Sequence, residues 1–485
     1  MKLQKIKSFL QSDYVILAFF SIAFLGWTTG LHNISIPLIA ILGSLIFLLC
    51  NDMKTVLSAV FYLTFFVPVV KGTTPLVVYG VSLLFGISCL VYFIIKSIKK
   101  NKSLTKGKMF WAFIVSGIAF LLGGIYKNFN IVNFVITLAM CVACYAVYWM
   151  VINFTTNLKQ FLLKLFIFGG LFVAAQILFL IVKSGNIVQA ISSRQVSWIG
   201  AQNINVACVY LCLGMISCFA LGYKTTKDWL YFLLSIFFTL VVYITYCRMM
   251  VLITFIIFAV LSIITFIKSK NKKIFLILLS IAVIILALIW LIFPTYVNTL
   301  ISSLISRGFS GNGREKLWAW CFNKFKQFPI FGVGFCTPED IPGISNNHSV
   351  IFAHNTLLQW LTSIGIVGSV LMIFFYFKKY QIAFKNFNFS KFFLIVNLIM
   401  IELSGLTDPA PTMDTFVYII SLILIASLEK DNIETELAQE VKTTEEIDDK
   451  SKNNNTEKDT QSLIEKTNRK LNIKNNALKK SRRNS

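Results

Sequence analysis

Four arginines precede the polar end of this chain: Arg194, Arg248, Arg307 and Arg314. Guanidinium offers a planar fork of five N–H donors, keeps its charge, and can grip two phosphate or carboxylate oxygens at once. The segment "SVIFAHNTLLQWLTSIGIVG", residues 349–368, adds His354, in a chain with only 3 histidines. Imidazole can accept and return a proton near neutral pH. Together these groups suit anion chemistry, in which a phosphate or carboxylate ligand is held and one proton is managed. Each also has a plainer reading. Arg248, at a tight turn, could anchor a helix at a membrane surface. Arg194 in "SSRQVSWIGAQN" and Arg307 in "SRGFSGNG" could be solvated, and His354 could cap an interfacial helix, with Asn355 and Gln359 capping and solvating beside it.

Two carboxylates extend the candidate set. Glu402 falls within an apolar span, where an ionisable group is a functional hypothesis by default, and is expected to form part of the site wall paired with an arginine. Asp408, in "GLTDPAP", reads as a structural ion pair or turn residue, with the site wall as the other option.

The elements that must hold these residues are membrane helices. Of 485 residues, 56% are hydrophobic and 14% charged, with mean hydropathy +0.74, more apolar than a soluble core requires. Apolar runs of spanning length fall near 14–30, 34–50, 55–70, 75–95, 109–125, 131–152, 161–182, 203–222, 229–246, 249–267, 274–293, 354–377, 391–407 and 413–428. The expected fold is all-α: a polytopic membrane protein with about 12–14 transmembrane helices. The first run has a basic flank (Lys2, Lys5, Lys7) but no small-residue cleavage site, so it reads as a retained anchor.

A net charge of +24 could suggest nucleic acid. The lysines instead sit in short loops between apolar runs, the pattern that orients membrane helices, so no nucleic-acid partner is expected. The 10 cysteines lie mostly in apolar runs, as Cys141 and Cys144 do, and read as small hydrophobes, with no disulfide or zinc framework. Neither a metal nor a cofactor is expected.

Residues 1–428 carry 32 lysines and arginines, 22 on the side of the amino terminus and 10 on the other. By the positive-inside rule the first side is cytoplasmic, which gives a multi-pass plasma-membrane protein with both termini inside. All four arginines are among the 10 outer positions. Lysine does the orienting, and arginine is kept for the other face.

That face also carries the one long connection, residues 294–353, of a length found in functional or disordered loops. Within it "GREKLWAWCFNKFKQF" has helical spacing, with Leu317, Cys321, Phe325 and Phe328 on one side and Trp318 and Phe322 adjacent. It is expected to be an amphipathic helix on the outer membrane surface, lysines toward water, that brings Arg314 to headgroup depth. Then follow "FPIFGVGF", Glu339, Asp340 and His348, and the far end delivers His354. The transmembrane domain is taken as 1–428. The polar stretch 429–485, with 13 basic and 12 acidic residues, is expected to be a disordered cytoplasmic tail.

"RQVSWIGAQNIN" (194–205), "TYCR" (245–248), "GREKLW" (313–318), "FPIFGVGF" (328–335) and "AHNTLLQWLTSIGIVG" (353–368) resemble the successive signatures of the O-antigen ligase and polysaccharide polymerase superfamily, over about residues 190–370. Two positions depart from the family pattern. Ile204 stands where Pro is common between two asparagines, and Cys247 precedes the arginine where Ser is usual.

The resemblance implies a metal-independent glycosyltransferase of the outer leaflet that moves a glycan from undecaprenyl diphosphate to an acceptor hydroxyl, with inversion. It implies that Arg194, Arg248 and Arg314 bind the diphosphate, with Arg248 and His354 as catalytic groups. Implied partners are the lipid-linked glycan donor, a glycan or lipid acceptor, membrane lipids and other components of a polysaccharide assembly machinery. An excess of Lys, Asn, Ile and Phe over Arg and Ala hints at an AT-rich, Gram-positive source, which favours a capsular or surface polysaccharide polymerase. Ligase-type transfer of finished polymer stays open. So does a lipid-linked oligosaccharide flippase or transporter, which would place charges at mid-membrane.

Overall fold

A computed structural model describes residues 2–66, 73–99, 104–125, 131–185, 198–199, 202–223, 225–245, 247–269, 271–295, 297–298, 301–302, 314–334, 353–406 and 415–453. Among them are sixteen helices and one two-residue antiparallel pair. The helices are α1 (Lys2–Leu10), α2 (Tyr14–Thr29), α3 (His32–Leu49), α4 (Val56–Thr64), α5 (Thr73–Lys99), α6 (Phe110–Leu122), α7 (Ile131–Phe154) and α8 (Leu158–Lys183). The pair is β1 (Trp198–Ile199) and β2 (Gln202–Asn203). There follow α9 (Ile204–Gly222), α10 (Asp228–Ile244), α11 (Arg248–Lys268), α12 (Lys272–Ile292), α13 (Arg314–Gln327), α14 (Thr356–Phe384), α15 (Phe389–Ser404) and α16 (Thr415–Asn453).

The chain is a helical polytopic membrane protein, and each of the fourteen apolar runs carries a helix. Among the described residues, eight helices are long and apolar enough to cross a membrane, nine if the bent α1–α2 pair is one span. Several of the others are shorter than an ordinary span: α4 has 9 residues, α6 has 13, α10 has 17 and α15 has 16. Helix α9 is the hub. Most of its residues are buried, because it packs against α8, α10, α11 and α15. By contrast α5 and α12 expose rows of Ile, Leu and Val, as helices facing lipid do.

Two ends of the bundle differ in chemistry. At the lysine-rich end, polar side chains tie helix ends together. Buried Glu429 accepts from the backbone N–H of Lys108 at 2.6 Å and from the Tyr148 hydroxyl. Asn432 donates to the Ile382 carbonyl at 2.8 Å and accepts from buried Lys391, which also donates to the Lys385 carbonyl at 3.0 Å. Glu436 pairs with Lys385 at 2.8 Å. The expected domain boundary at 428/429 therefore falls inside α16. Residues 429–436 are polar because they satisfy helix ends and lysines where the bundle meets water. Residues 454–485 lie outside the described residues.

Helix α14 is broken at Gly365, whose φ is 64° and ψ −164°. A continuous helix would bond the N–H groups of Ile366 and Val367 to the carbonyls of Thr362 and Ser363. Instead those N–H groups donate to the Pro329 and Ile330 carbonyls at 2.8 and 3.1 Å. The freed Thr362 and Ser363 carbonyls accept from Val333 and Gly334 N–H at 2.9 and 2.8 Å. Two helical bonds are thus exchanged for four to an inserted segment, so the backbone groups of Thr362, Ser363, Ile366 and Val367 freed by the break are satisfied in an apolar setting. Glycine is required on both sides of the insertion. A Cβ on Gly332 would lie 2.5 Å from the Ser363 carbonyl carbon, and one on Gly365 2.4 Å from the Ile330 oxygen.

Candidate active site

The end of the bundle opposite the lysines gathers the start of α9, the turn between α10 and α11, α13, the start of α14 and the end of α15. Arg248 is the first residue of α11, and the corner before it is fastened to α9. Cys247 Sγ–H donates to Asn205 Oδ1 at 2.8 Å. The thiol of Cys208 and the hydroxyl of Thr245 are hydrogen-bonded at 3.2 Å. Cysteine thus does the bonding a serine would do at 247, as a weaker donor. Ile204 opens α9, a position where the family's proline would also be tolerated. Neither departure disturbs the corner. A cation at a helix amino terminus meets the positive end of the helix dipole. An anion in front of α11 is drawn by both the guanidinium and the helix end.

His354 is half-buried, with φ 49° in the left-handed region, a conformation that costs a non-glycine residue on the order of 1 kcal/mol. Its neighbours hold it there. Ala353, fully buried, donates its N–H to Gln359 Oε1 at 2.8 Å, and its carbonyl accepts from Trp318 Nε1–H at 2.7 Å. Asn355 caps α14 by accepting from Leu358 N–H at 3.0 Å, and its Nδ2 donates to the Leu406 carbonyl. The N–H and hydroxyl of Thr356 both donate to the Gly405 carbonyl, at 3.0 and 2.9 Å. The histidine segment is thereby pinned to α13 on one side and to the end of α15 on the other. Since α9 and α11 also pack on α15, Arg248 and His354 belong to elements gathered around one helix.

Three expectations change. Gln359 does not solvate the helix end, because it is fully buried and its Nε2 donates to Ser363 Oγ at 2.8 Å. The face of α13 that carries Leu317 and Cys321 does not turn to lipid. Both are buried with Val333 and Ala353, because the 353–362 segment gives them an apolar surface to pack on, while Phe322 stays 47% exposed. Lys326 and Lys324 lie over the Phe322 and Trp320 rings at 4.7 and 5.6 Å. Glu402 pairs with Lys379 rather than with an arginine and also accepts from the Tyr376 hydroxyl at 2.8 Å. Lys379, expected in a cytoplasmic loop, is only 2% exposed inside α14. Its burial places an ion pair within the bundle.

Arg194, Arg307, Asp408, Glu339, Asp340 and His348 lie outside the described residues. Arg314 is the first residue of α13, so two of the four arginines open helices. No group of three or more His, Cys, Asp or Glu side chains suited to a metal ion occurs among the described residues. Trp318 and Gln359 are the residues that sequence reasoning misses. A signal for Gln359 was present, since an amide and a hydroxyl one turn apart in an apolar helix must satisfy each other or something else.

Residues 230–373 match the family model described as O-antigen ligase. Over that stretch, somewhat under a third of its length, the chain is similar to the O-antigen ligase family. The matched segment runs from α10 into α14 and contains Arg248, α13, the 329–334 insert, His354 and the break at Gly365. Outside it lie Arg194, Asn205, Glu402 and Asp408. No curated protein matches the chain.

Proposed function

We propose that this protein, similar over residues 230–373 to the O-antigen ligase family, transfers a glycan from undecaprenyl diphosphate to an acceptor hydroxyl at the outer leaflet, without a metal, and thereby polymerises cell-surface polysaccharide repeats. The observation that carries the reading is the convergence of separated motifs. "AQNIN" is bonded to "TYCR" through Asn205 and Cys247, "GREKLW" to "AHN" through Trp318 and Ala353, and "FPIFGVGF" completes the broken helix behind His354.

In this reading the donor diphosphate lies before the amino terminus of α11. Arg248, with Arg194 and Arg314, offsets the charge that develops as the bond from anomeric carbon to phosphate oxygen breaks. His354 accepts the proton of the acceptor hydroxyl while its oxygen bonds to the anomeric carbon, and the electron pair leaves with undecaprenyl diphosphate. Inversion follows the family resemblance. Residues 1–428 then form the transferase domain and 429–485 a cytoplasmic appendage, its first turns docked on the bundle. The arginine face is extracytoplasmic and both termini are cytoplasmic.

The description of the matched family favours a second reading, in which the acceptor is a lipid, wall or protein rather than another repeat. Purified protein in nanodiscs with a synthetic undecaprenyl diphosphate oligosaccharide separates the two. Chain growth with release of undecaprenyl diphosphate identifies a polymerase, whereas transfer only to an added second acceptor identifies a ligase. No release with any acceptor rejects the transferase and returns the transporter reading.

A further inference from the structure

We infer that Gln359 and Trp318 are positioning residues that set the backbone conformation, and hence the ring placement, of His354. The inference rests on the proposed role of His354, but the geometry stands by itself. Ala353 precedes the histidine and has both its peptide groups held by side chains. Its N–H donates to Gln359 Oε1 at 2.8 Å and its carbonyl accepts from Trp318 Nε1–H at 2.7 Å. These two bonds fix the peptide planes on either side of Ala353. On the far side of His354, Thr356 is fixed by two bonds to the Gly405 carbonyl, and Asn355 is fixed as the cap of α14. With both flanks set, the histidine backbone has one conformation left, the left-handed one at φ 49°.

The two supports are themselves held. Gln359 is fully buried, and its amide is oriented by donating to Ser363 Oγ at 2.8 Å. The carbonyl of Ser363 in turn accepts from Gly334 across the helix break. Trp318 is carried by α13, whose buried Leu317 and Cys321 seat it against the same segment, and the Cys321 carbonyl accepts from the Thr362 hydroxyl at 3.2 Å. The broken helix and α13 thus converge on one peptide. Neither Gln359 nor Trp318 needs to touch substrate for this task.

The test uses Trp318→Phe, which keeps the ring and removes the donor, and Gln359→Met, which keeps length and removes both amide bonds. Full-length protein in nanodiscs, with its histidines labelled at the ring carbons, gives three NMR signals assigned through His32→Gln, His348→Gln and His354→Ala. The His354 signal is expected to move or broaden in both variants while the His32 signal stays in place. An unmoved His354 signal in both overturns the inference, whatever the activity. Turnover on the synthetic donor is expected to fall roughly 10²-fold for a displacement of about 1 Å, with donor KM unchanged. In the His354→Ala background, Trp318→Phe should cost nothing further. A further loss there assigns Trp318 to general packing and overturns the inference, whereas full turnover of His354→Ala itself refutes the proposed role of the histidine and leaves the NMR result to decide the positioning.

Discussion

At the scale of single residues, the charges of this chain fall into two kinds. Arg248 opens a helix, where its charge is opposed by the helix dipole, and nothing in helix formation asks for a cation there. Arg248→Lys keeps the charge but loses the fork, so turnover on the lipid-linked donor should drop about 10²-fold or more while the folded protein is recovered in normal amount. His354→Ala should match or exceed that loss. Cys247→Ser should leave turnover within about twofold, because the hydroxyl can make the same bond to Asn205 Oδ1. The Lys379–Glu402 pair is of the other kind. It is closed on itself with the Tyr376 hydroxyl, so Lys379→Met alone leaves a partly buried carboxylate without its cation and should cost about 2–3 kcal/mol, below the range of fully buried pairs, read as a lower unfolding temperature in detergent. Lys379→Met with Glu402→Gln should recover most of it. The sequence shows which residues carry charge, but it hides the pairing of Lys379, because a lysine near a cluster of loop lysines looks like one of them.

At the scale of elements, the apolar runs are legible because a bilayer demands them, and each carries a helix among the described residues. Two features of the candidate site are not legible in the same way. The periodicity of α13 correctly marks Leu317 and Cys321 as one face, yet periodicity cannot say whether lipid or protein covers it. In "FPIFGVGF" the glycines signal close backbone approach without naming the partner, and the partner lies inside what reads as an unbroken span. Gly365→Ala or Gly332→Ala should each destabilise the protein by about 3 kcal/mol or more, since an L side chain there meets both a left-handed φ and a carbonyl at less than van der Waals distance. Folded yield and thermal denaturation in detergent give the measurement, and Gly80→Ala, with open space around its Cβ position, is the matched control.

At the scale of the whole molecule, α16 joins one end of the bundle to the other. It runs past the apolar run at 428 and binds the ends of α6, α7, α14 and α15 through Glu429, Asp431, Asn432 and Glu436. A composition shift marks where apolar character ends, not where packing ends, and the polar residues 429–436 dock on the bundle beyond it. Truncation after Asn453 should preserve folding and turnover, whereas truncation after Leu428 should lower the unfolding temperature by removing partners of Lys108, Lys385 and Lys391. Lys385 holds the Glu436 carboxyl below its ordinary range through their hydrogen bond. A carboxyl with a lowered folded value contributes above its unfolded pKa and loses that contribution as pH falls through the folded one. Attachment of this turn should therefore weaken on acidification, and Glu436→Gln should remove that part of the pH dependence from thermal melts.

The break in α14 also has a consequence in time. Residues 329–334 are synthesised before the helix they interrupt, and until they dock, α14 can close its own bonds across Gly365 and run straight. The broken span is then a product of tertiary contact rather than of local sequence: the left-handed turn at Gly365 exists where residues 329–334 supply the exchanged backbone bonds.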